Sequence, residues 1–288
     1  MRTTCVAVLA ASLLLCPLLS QAASSVWKVS KGEDVVYLAG TVHVLPADQF
    51  PLPAEFDRAY QAADVLVLEA DVPAPDDAQA GIRMMQKLSY PAGSSLKQKL
   101  TPQVYQALAG YLQPFGVDLA QLDRFKPGFI AMQLAILEMH KAGINGEGVD
   151  AFFAKKAKTD GKTTQFLETL DFQLSLMAGL GEGDESEFIR VNLANASDAA
   201  ELLKKSILAW RQGDMATIER LLLIEARVED AKTYQQMFTA RNQQWLPKIS
   251  AMFGNSATEL VMVGAGHLPG DDGVLRLLQQ AGYQVEPL

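Results

Sequence analysis

Apolar and polar residues alternate near both ends of the chain in the short runs that are typical of β-strands. The first two runs flank the polar turn Lys31-Gly32-Glu33-Asp34, so we expect them to pair as a hairpin. A third run, Val-Leu-Val-Leu, is uniformly apolar, as strands buried on both faces are, and it ends at Glu69. By this criterion five segments are predicted to be strands: 26–29, 35–40, 65–69, 259–263 and 283–285.

The middle of the chain instead repeats its apolar positions every three or four residues, which predicts helices. Thr101-Pro102 is a strong start signal, because Thr is a good N-cap and Pro suits the first helical position. Residues 164–167 interrupt the helical pattern with a strand-like run that leads into Glu168. The predicted helices cover residues 54–63, 102–112, 129–141, 149–158, 202–210, 215–228 and 273–281.

The two ends of the chain resemble each other. The segments YLAGTVHVLP and VMVGAGHLPG both run from an apolar strand through Gly-x-x-His to Leu-Pro, and each is followed by a helix and a strand. We therefore expect an α/β (or α+β) fold. Its central mixed sheet comes from two strand–turn–helix units at the chain ends, and a helical middle is inserted between them.

The first 22 residues are predicted to be a secretory signal peptide. Arg2 precedes an apolar run that is too short to span a bilayer, and Ser20-Gln21-Ala22 offers a cleavage site with small residues. Cleavage there leaves one domain, residues 23–288, with a periplasmic or secreted location and no membrane span. Because both cysteines lie in the signal segment, the mature chain should have neither disulfides nor thiolate metal ligands.

Composition narrows the classes of function. The chain has 288 residues, is 49% hydrophobic and carries a net charge of -8, so it can bury a core. An acidic chain without basic runs is not typical of a nucleic-acid-binding protein, and we expect no nucleic-acid partner.

Two of the three histidines, His43 and His267, follow a glycine by three residues at the end of a predicted strand. Glycine lets the backbone turn and approach a ligand closely, and α/β sheets place their binding sites at the carboxyl ends of strands. Imidazole is a common metal ligand and a general base near neutral pH. These residues therefore indicate a site built from both ends of the chain.

Carboxylates complete the predicted site. Glu69 ends an apolar strand, Asp71 follows on the same side by strand alternation, and Glu168 ends the strand-like run in the middle. Two histidines with carboxylates suit Mn²⁺, Co²⁺ or Zn²⁺ in an open site. Arg241 is a candidate for stabilising an oxyanion.

Simpler interpretations stand beside this hypothesis. His43 and His267 would also suit turns in which they only form hydrogen bonds, and Glu69 and Asp71 would suit helix capping. His140 lies at the end of an apolar helix, where a structural role is expected. Arg241 and Trp245 are four residues apart on one predicted helix, a spacing that is typical of a packed, stacked pair.

Five segments together resemble the TraB/GumN family, which is related to the Tiki metalloproteases and more distantly to erythromycin esterases. The resemblance runs from about residue 27 to 288. Its motifs, in order, are GTVHVLP, ADVLVLEADV, GEGVDAFFAKKAKTDGKTTQFLETLDFQL, ARNQQW and VGAGHLPGDDGVLRLLQQAGYQVEPL.

The resemblance implies a metal-dependent site that contains His43, Glu69 and His267, with Glu168, Arg241 and Asn242 nearby. We therefore expect a secreted or periplasmic hydrolase acting on an amide or ester bond of a peptide or ester substrate, with a divalent metal cofactor. In this hypothesis Glu69 or Glu168 serves as the base. The alternatives are a non-catalytic periplasmic protein that binds a peptide or polysaccharide in the same cleft, and a purely structural accessory protein.

Overall fold

The structure, a computed structural model, describes residues 25–71, 73 and 77–288. The predicted signal peptide, residues 1–22, lies outside this part of the chain. Among the described residues, six strands form one mixed sheet in the order β4-β3-β5-β2-β1-β6. The strands are β1 (Val26–Lys31), β2 (Asp34–Thr41), β3 (Val65–Leu68), β4 (Thr163–Phe166), β5 (Glu259–Gly264) and β6 (Gln284–Pro287).

Helices make up most of the remaining described chain. They are α1 (Ala54–Ala62), α2 (Ala78–Lys87), α3 (Leu96–Lys99), α4 (Pro102–Leu112), α5 (Leu119–Leu122), α6 (Pro127–Lys141), α7 (Val149–Asp160), α8 (Leu170–Gly179), α9 (Glu185–Asn195), α10 (Ala199–Arg211), α11 (Met215–Leu222), α12 (Ile224–Glu229), α13 (Ala231–Tyr234), α14 (Ala240–Ser250) and α15 (Val274–Gln280). No helix in residues 25–71, 73 and 77–288 has the length and apolar character needed to cross a membrane.

The predicted α/β architecture is confirmed, and five of the six strands come from the chain ends, whereas the edge strand β4 comes from the middle. The hairpin of β1 and β2 is antiparallel, whereas β2, β5, β3 and β4 run parallel to one another. The unit β2-α1-β3 crosses the sheet in one direction, and the unit β5-α15-β6 crosses it in the other. Such a reversal between neighbouring strands opens a crevice at their carboxyl ends. The crevice lies between β2 and β5.

Alternate residues of the central strands enter two separate cores. On one face, Leu66 and Leu260 pack with Phe56 of α1. On the other face, Val67 and Val261 pack around the buried Trp245 of α14. Every side chain of β3 is buried, as the uniformly apolar run predicts for an inner parallel strand.

The helical middle has a core of its own and is anchored to the sheet beside the crevice. Leucines and aromatic residues between positions 88 and 196 form this third core. The anchor is Trp210 of α10, which is fully buried and donates its indole N–H to the backbone oxygen of Gly40 over 2.7 Å. Residues 215–228, predicted as one helix, are instead two helices that meet at Leu223.

Candidate metal centre at the carboxyl ends of the parallel strands

The two Gly-x-x-His turns lie side by side in the crevice. In the parallel ladder, Gly40 is opposite Val263 and Thr41 is opposite Gly264, so the chain leaves both strands at the same level. The histidines that follow these strands therefore enter one space, although they lie at opposite ends of the chain.

The glycines of both motifs allow close packing of the two turns, and neither has a positive φ. The sharp turn that the sequence suggested is therefore not their role. A Cβ on Gly40 would lie 2.8 Å from Cδ1 of Leu268, in the other turn. A Cβ on Gly264 would lie 3.3 Å from Oε1 of Glu69 and 3.5 Å from Nε2 of His43, inside the site itself.

His267 is buried and held in one tautomer. Its Nδ1 lies 2.7 Å from Oδ1 of Asn242, whose amide nitrogen donates to the backbone oxygens of His267 and Asp272. The amide oxygen is therefore the acceptor, and the imidazole proton lies on Nδ1. Nε2 then accepts a hydrogen bond from Arg241 over 3.0 Å. Burial and the positive charge of Arg241 and His43 lower the pKa of His267 to about 3, despite the opposing effect of Glu69.

His43 lies at the open side of the crevice, with 65% of its side chain exposed. Its Nδ1 pairs with Oδ1 of Asp150 at 3.1 Å, and this hydrogen bond raises the pKa of His43 to about 9. Asp150 is positioned by the start of α7, where a Cβ on Gly148 would collide with the backbone oxygen of His43 at 2.2 Å. Without a side chain at position 148, α7 can approach the first histidine turn.

Glu69 connects the two turns through its carboxylate. Oε1 accepts the backbone N–H of Gly264 over 2.7 Å, and Oε2 accepts Arg241 over 2.6 Å and Gln173 over 3.1 Å. Burial raises the pKa of this carboxyl group, but the surrounding His267, Arg241 and His43 and the N–H of Gly264 lower it to about 2. Glu69 is therefore ionised at neutral pH.

Arg241 forms the centre of a buried clamp. Its Nε and Nη2 donate side by side to Glu168, Nη2 also donates to Glu69, and Nη1 donates to His267 and to the backbone oxygen of Met237. Despite burial, Glu168 and Glu69 raise the pKa of Arg241, which stays charged. Two carboxylates face one guanidinium here, so the clamp carries an excess of negative charge, which favours a nearby cation.

Trp245 extends this clamp on the next turn of α14. Its indole N–H donates to Oε1 of Glu168 over 2.9 Å, and the guanidinium of Arg241 lies 4.8 Å from the centre of its ring. The predicted stacked pair is therefore present and is also part of the site. A π-helical turn, Gln235–Thr239, directly precedes α14. Such turns are frequent at functional sites because they re-aim the following side chains.

The donors present suit a divalent metal, but they are not arranged as a closed metal cage. In the described part of the chain, no group of three His, Cys, Asp or Glu side chains is placed to hold a metal ion. His43 Nε2, Glu69 Oε1 and His267 Cδ2 instead lie 3.5, 3.3 and 3.7 Å from the point that a Cβ on Gly264 would occupy, and Nε2 of His267 is 4.0 Å from Oε1 of Glu69. Two ligands that are each about 2.0–2.2 Å from one tetrahedral metal lie about 3.4 Å apart, so metal binding requires these groups to move closer together.

The structure brings the sequence-predicted residues into one cluster and adds two that sequence reasoning missed. The predicted residues in the cluster are His43, Glu69, Glu168, Arg241, Asn242 and His267. The missed residues are Asp150 and Gln173, which lie in the Gly-Val-Asp and Asp-Phe-Gln parts of the third family motif. That motif was the signal that could have revealed them.

Two other candidates lie apart from the cluster. Asp71 is exposed because β3 ends at Leu68, so strand alternation does not carry it to the same side as Glu69. His140 is exposed near the end of α6, in agreement with its predicted non-catalytic position.

Comparison with known families matches this arrangement of motifs to one family. The model of the TraB/PrgY/gumN family matches residues 25–287. The chain belongs to the TraB/PrgY/gumN family. The predicted resemblance is thereby confirmed over nearly the whole described chain.

The individual relatives of this TraB/PrgY/gumN chain are distant in sequence. The uncharacterized protein YbaP of Escherichia coli (strain K12) is 25% identical over 244 residues, which cover 84% of this chain and 87% of YbaP. The metalloproteases TIKI1 and TIKI2 of Danio rerio are each 23% identical, over 91% and 87% of this chain. The match spans only 63% of TIKI1 and 58% of TIKI2. No solved structure matches the chain.

Proposed function

We propose that this protein is an exported, metal-dependent hydrolase of amide or ester bonds. The observation that carries the proposal is the space above Gly264, which Glu69 Oε1, His43 Nε2 and the ring of His267 border together. The distant similarity to two metalloproteases supports the choice of hydrolysis. The apolar N-terminal segment, read as a signal peptide, supports a periplasmic or secreted location.

In this proposal His43, Glu69 and His267 hold the metal. Each histidine has its Nδ1 engaged, by Asp150 or by Asn242, so Nε2 is the nitrogen that would bind a metal, and in His267 this nitrogen now accepts Arg241. Partners of this kind orient metal-binding histidines and fix their tautomer. A bound Mn²⁺, Co²⁺ or Zn²⁺ would polarise an acyl carbonyl and lower the pKa of bound water.

The two glutamates take different roles. A carboxyl group with a pKa of about 2 is a weak base but a constantly ionised ligand, so we assign Glu69 to the ligand set. The carboxylate of Glu168 is shared among Arg241, Trp245 and Gln173, and 3% of its side chain is exposed. We therefore assign Glu168 to positioning Arg241.

Arg241 can donate to an oxyanion only after it gives up its hydrogen bond to His267. Its Nη1 now donates to Nε2 of His267 over 3.0 Å. When that nitrogen serves as a ligand, it no longer accepts the N–H, and Nη1 is free to donate to the oxygen of an acyl group. Removing a donor of this kind typically costs about 10²–10³ in rate.

Metal titration of the full chain tests the proposal, with Mn²⁺, Co²⁺ and Zn²⁺ added after chelation. Calorimetry should give one metal per chain, and thermal unfolding should shift upward because the metal binds the native state. His43→Ala and His267→Ala should each lose the bound metal. His140→Ala, which removes the exposed third histidine, should retain it. Metal uptake that is unchanged in both site variants would refute this ligand set.

Turnover separates the hydrolase from the alternative of a binding protein. Peptide and ester substrates should be cleaved by the metal-loaded chain, and chelation should abolish cleavage until the metal is returned. Ligand affinity that survives both chelation and Glu69→Gln, without any turnover, would support the binding protein instead.

A further inference from the structure

A second feature lies next to this site: a groove of about 1160 Å³ between two groups of helices. One wall comes from α6, α8 and α9, and the other comes from α12, α13 and the π-helical turn. The volume exceeds the roughly 300–1,000 Å³ of a typical small-molecule pocket. The groove therefore has room for several residues of another polypeptide.

Both walls of the groove are continuous with the clamp of the site. On one side, Met177 lines the groove one helical turn after Gln173, which donates to Glu69 and Glu168. On the other side, Gln236 lines the groove directly before Met237, whose backbone oxygen accepts Arg241. Gln173 and Met177 are separated by about 6 Å along the helix axis, so this edge of the groove lies close to the residues that hold Arg241.

The groove combines an apolar lining with an acidic rim. Met132, Met177 and Phe188 are half-buried in the lining, and flexible methionines adapt to varied apolar side chains. Glu182 and Asp184 are exposed on one rim, and Glu229 is exposed on the other.

The basic residues of the lining do not balance this charge. Arg190 forms a bidentate pair with Glu187 at 2.7 and 2.5 Å, so its charge is already matched. Lys232 is then the remaining cation of the lining, against Glu182, Asp184 and Glu229 and the helix-capping Asp230. The net negative rim favours a cationic occupant.

The exposed apolar side chains of α12 lie outside the groove. Ala226 and Glu229 share the helix face that lines it. Ile224 and Val228, with 49% and 80% of their surfaces exposed, are one turn apart on the opposite face.

We propose that this groove binds a short stretch of polypeptide that alternates basic and apolar side chains. Basic side chains contact Glu182, Asp184 and Glu229, while apolar ones contact Met132, Met177 and Phe188. This inference deepens the proposed function, on which it rests for the choice of a polypeptide. It adds a substrate class and a docking site beside the hydrolytic centre.

Fluorescence anisotropy of labelled ten-residue peptides tests the proposal with the full chain in the presence of a chelator, where binding is observed without turnover. A peptide of alternating Lys and Leu should bind at least tenfold more tightly than one of alternating Glu and Leu. Its affinity should fall with added salt, since the rim charges are exposed.

Substitutions at the groove rim and at control positions test where the peptide binds. Glu182→Gln/Glu229→Gln should weaken the Lys/Leu peptide roughly fivefold, as expected for two exposed ion pairs. The control Glu33→Gln/Glu286→Gln makes the same change of charge at exposed positions outside the groove lining and should have no effect. Val228→Ser changes a largely exposed side chain on the face of α12 opposite to the groove, so it is a second control and should leave binding unchanged.

Equal affinity for the two peptides, or equal losses in the groove and control variants, would overturn the proposal. The result is independent of the metal titration. If metal uptake fails while the Lys/Leu peptide still binds through the groove, the hydrolase is refuted and the groove stands. If the chain takes up metal but binds both peptides equally, the groove proposal is refuted and the ligand set stands.

Discussion

Nδ1 of His267 lies 2.7 Å from Oδ1 of Asn242, and this contact fixes the tautomer of a buried imidazole. The same amide donates to two backbone oxygens, so it cannot be turned around without losing both of those bonds. Asn242 directly follows Arg241 on α14, and together they engage both ring nitrogens of His267. One helix therefore controls the chemistry of the second histidine turn.

Replacing Asn242 should lower both stability and metal affinity, because His267 loses the partner that orients its ring. Asn242→Ala leaves a buried N–H without its acceptor, so the free energy of unfolding should fall by about 1–3 kcal/mol. Metal affinity should fall by roughly 10–100-fold, as for other losses of a histidine's orienting partner. Nitrogen NMR of the imidazole and metal calorimetry measure the two effects. Asn145→Ala, at an exposed position, is the control, and unchanged metal affinity in Asn242→Ala would contradict the assigned role.

Stability should fall as pH rises through the titration of His43. Its pKa is raised from 6.5 to about 9 in the folded chain, so its pairing with Asp150 stabilises fully below pH 6.5 and is lost as pH rises through about 9. The contribution is about 1 kcal/mol or less, because the side chain is largely exposed and solvent screens it. Chemical unfolding of metal-free protein between pH 6 and 10 should show this loss. Asp150→Asn should remove it, and an unchanged slope in that variant would refute the pairing.

A side chain at position 264 should weaken metal binding without preventing folding. A Cβ there meets Glu69 and His43 at 3.3 and 3.5 Å, which is tight but tolerable, and φ at this residue is not positive. Gly264→Ala should therefore keep a native melting profile while losing most metal affinity. Gly110→Ala, where a Cβ meets nothing within 4 Å, should bind metal normally. Full metal uptake by Gly264→Ala would place the metal elsewhere.

Neutralising Glu168 should affect the clamp more than the ligand set. Glu168→Gln leaves the buried Arg241 paired with Glu69, so the cost should be below the about 3–5 kcal/mol that is typical of a buried charge left without any partner. Because Gln keeps an oxygen for the indole N–H of Trp245, the variant should still fold and bind one metal. Urea unfolding and metal calorimetry test both points. Loss of metal stoichiometry in a folded Glu168→Gln protein would make Glu168 a ligand.

Local patterns predicted the elements of the fold well. The apolar run before Glu69 and the Thr101-Pro102 start signal correspond to β3 and α4 almost residue for residue. The reason is that burial of a strand and capping of a helix are decided by neighbours in the chain. The repeated Gly-x-x-His motif likewise predicted that the two ends form one site.

Partners that are distant along the chain could not be predicted in this way. Asp150 meets His43 only because Gly148 allows α7 to touch the first turn, and Gln173 reaches Glu69 from the helical middle. No local period encodes these contacts. Asp71 shows the opposite error, since alternation was extended past Leu68, where the strand had already ended.

The position of β5 has a bearing on how the protein matures as it is made. Neither β2 nor β3 pairs with the other, because β5 lies between them, and β5 is synthesised more than 190 residues after β3. In the finished sheet β2 and β3 are about two strand spacings apart, near 10 Å, and β5 fills the space between them. The cluster of His43, Glu69 and His267 is complete only when the last thirty or so residues, which contain β5 and His267, are present. Under the proposed hydrolase function, a chain that ends before β5 would therefore lack a complete site.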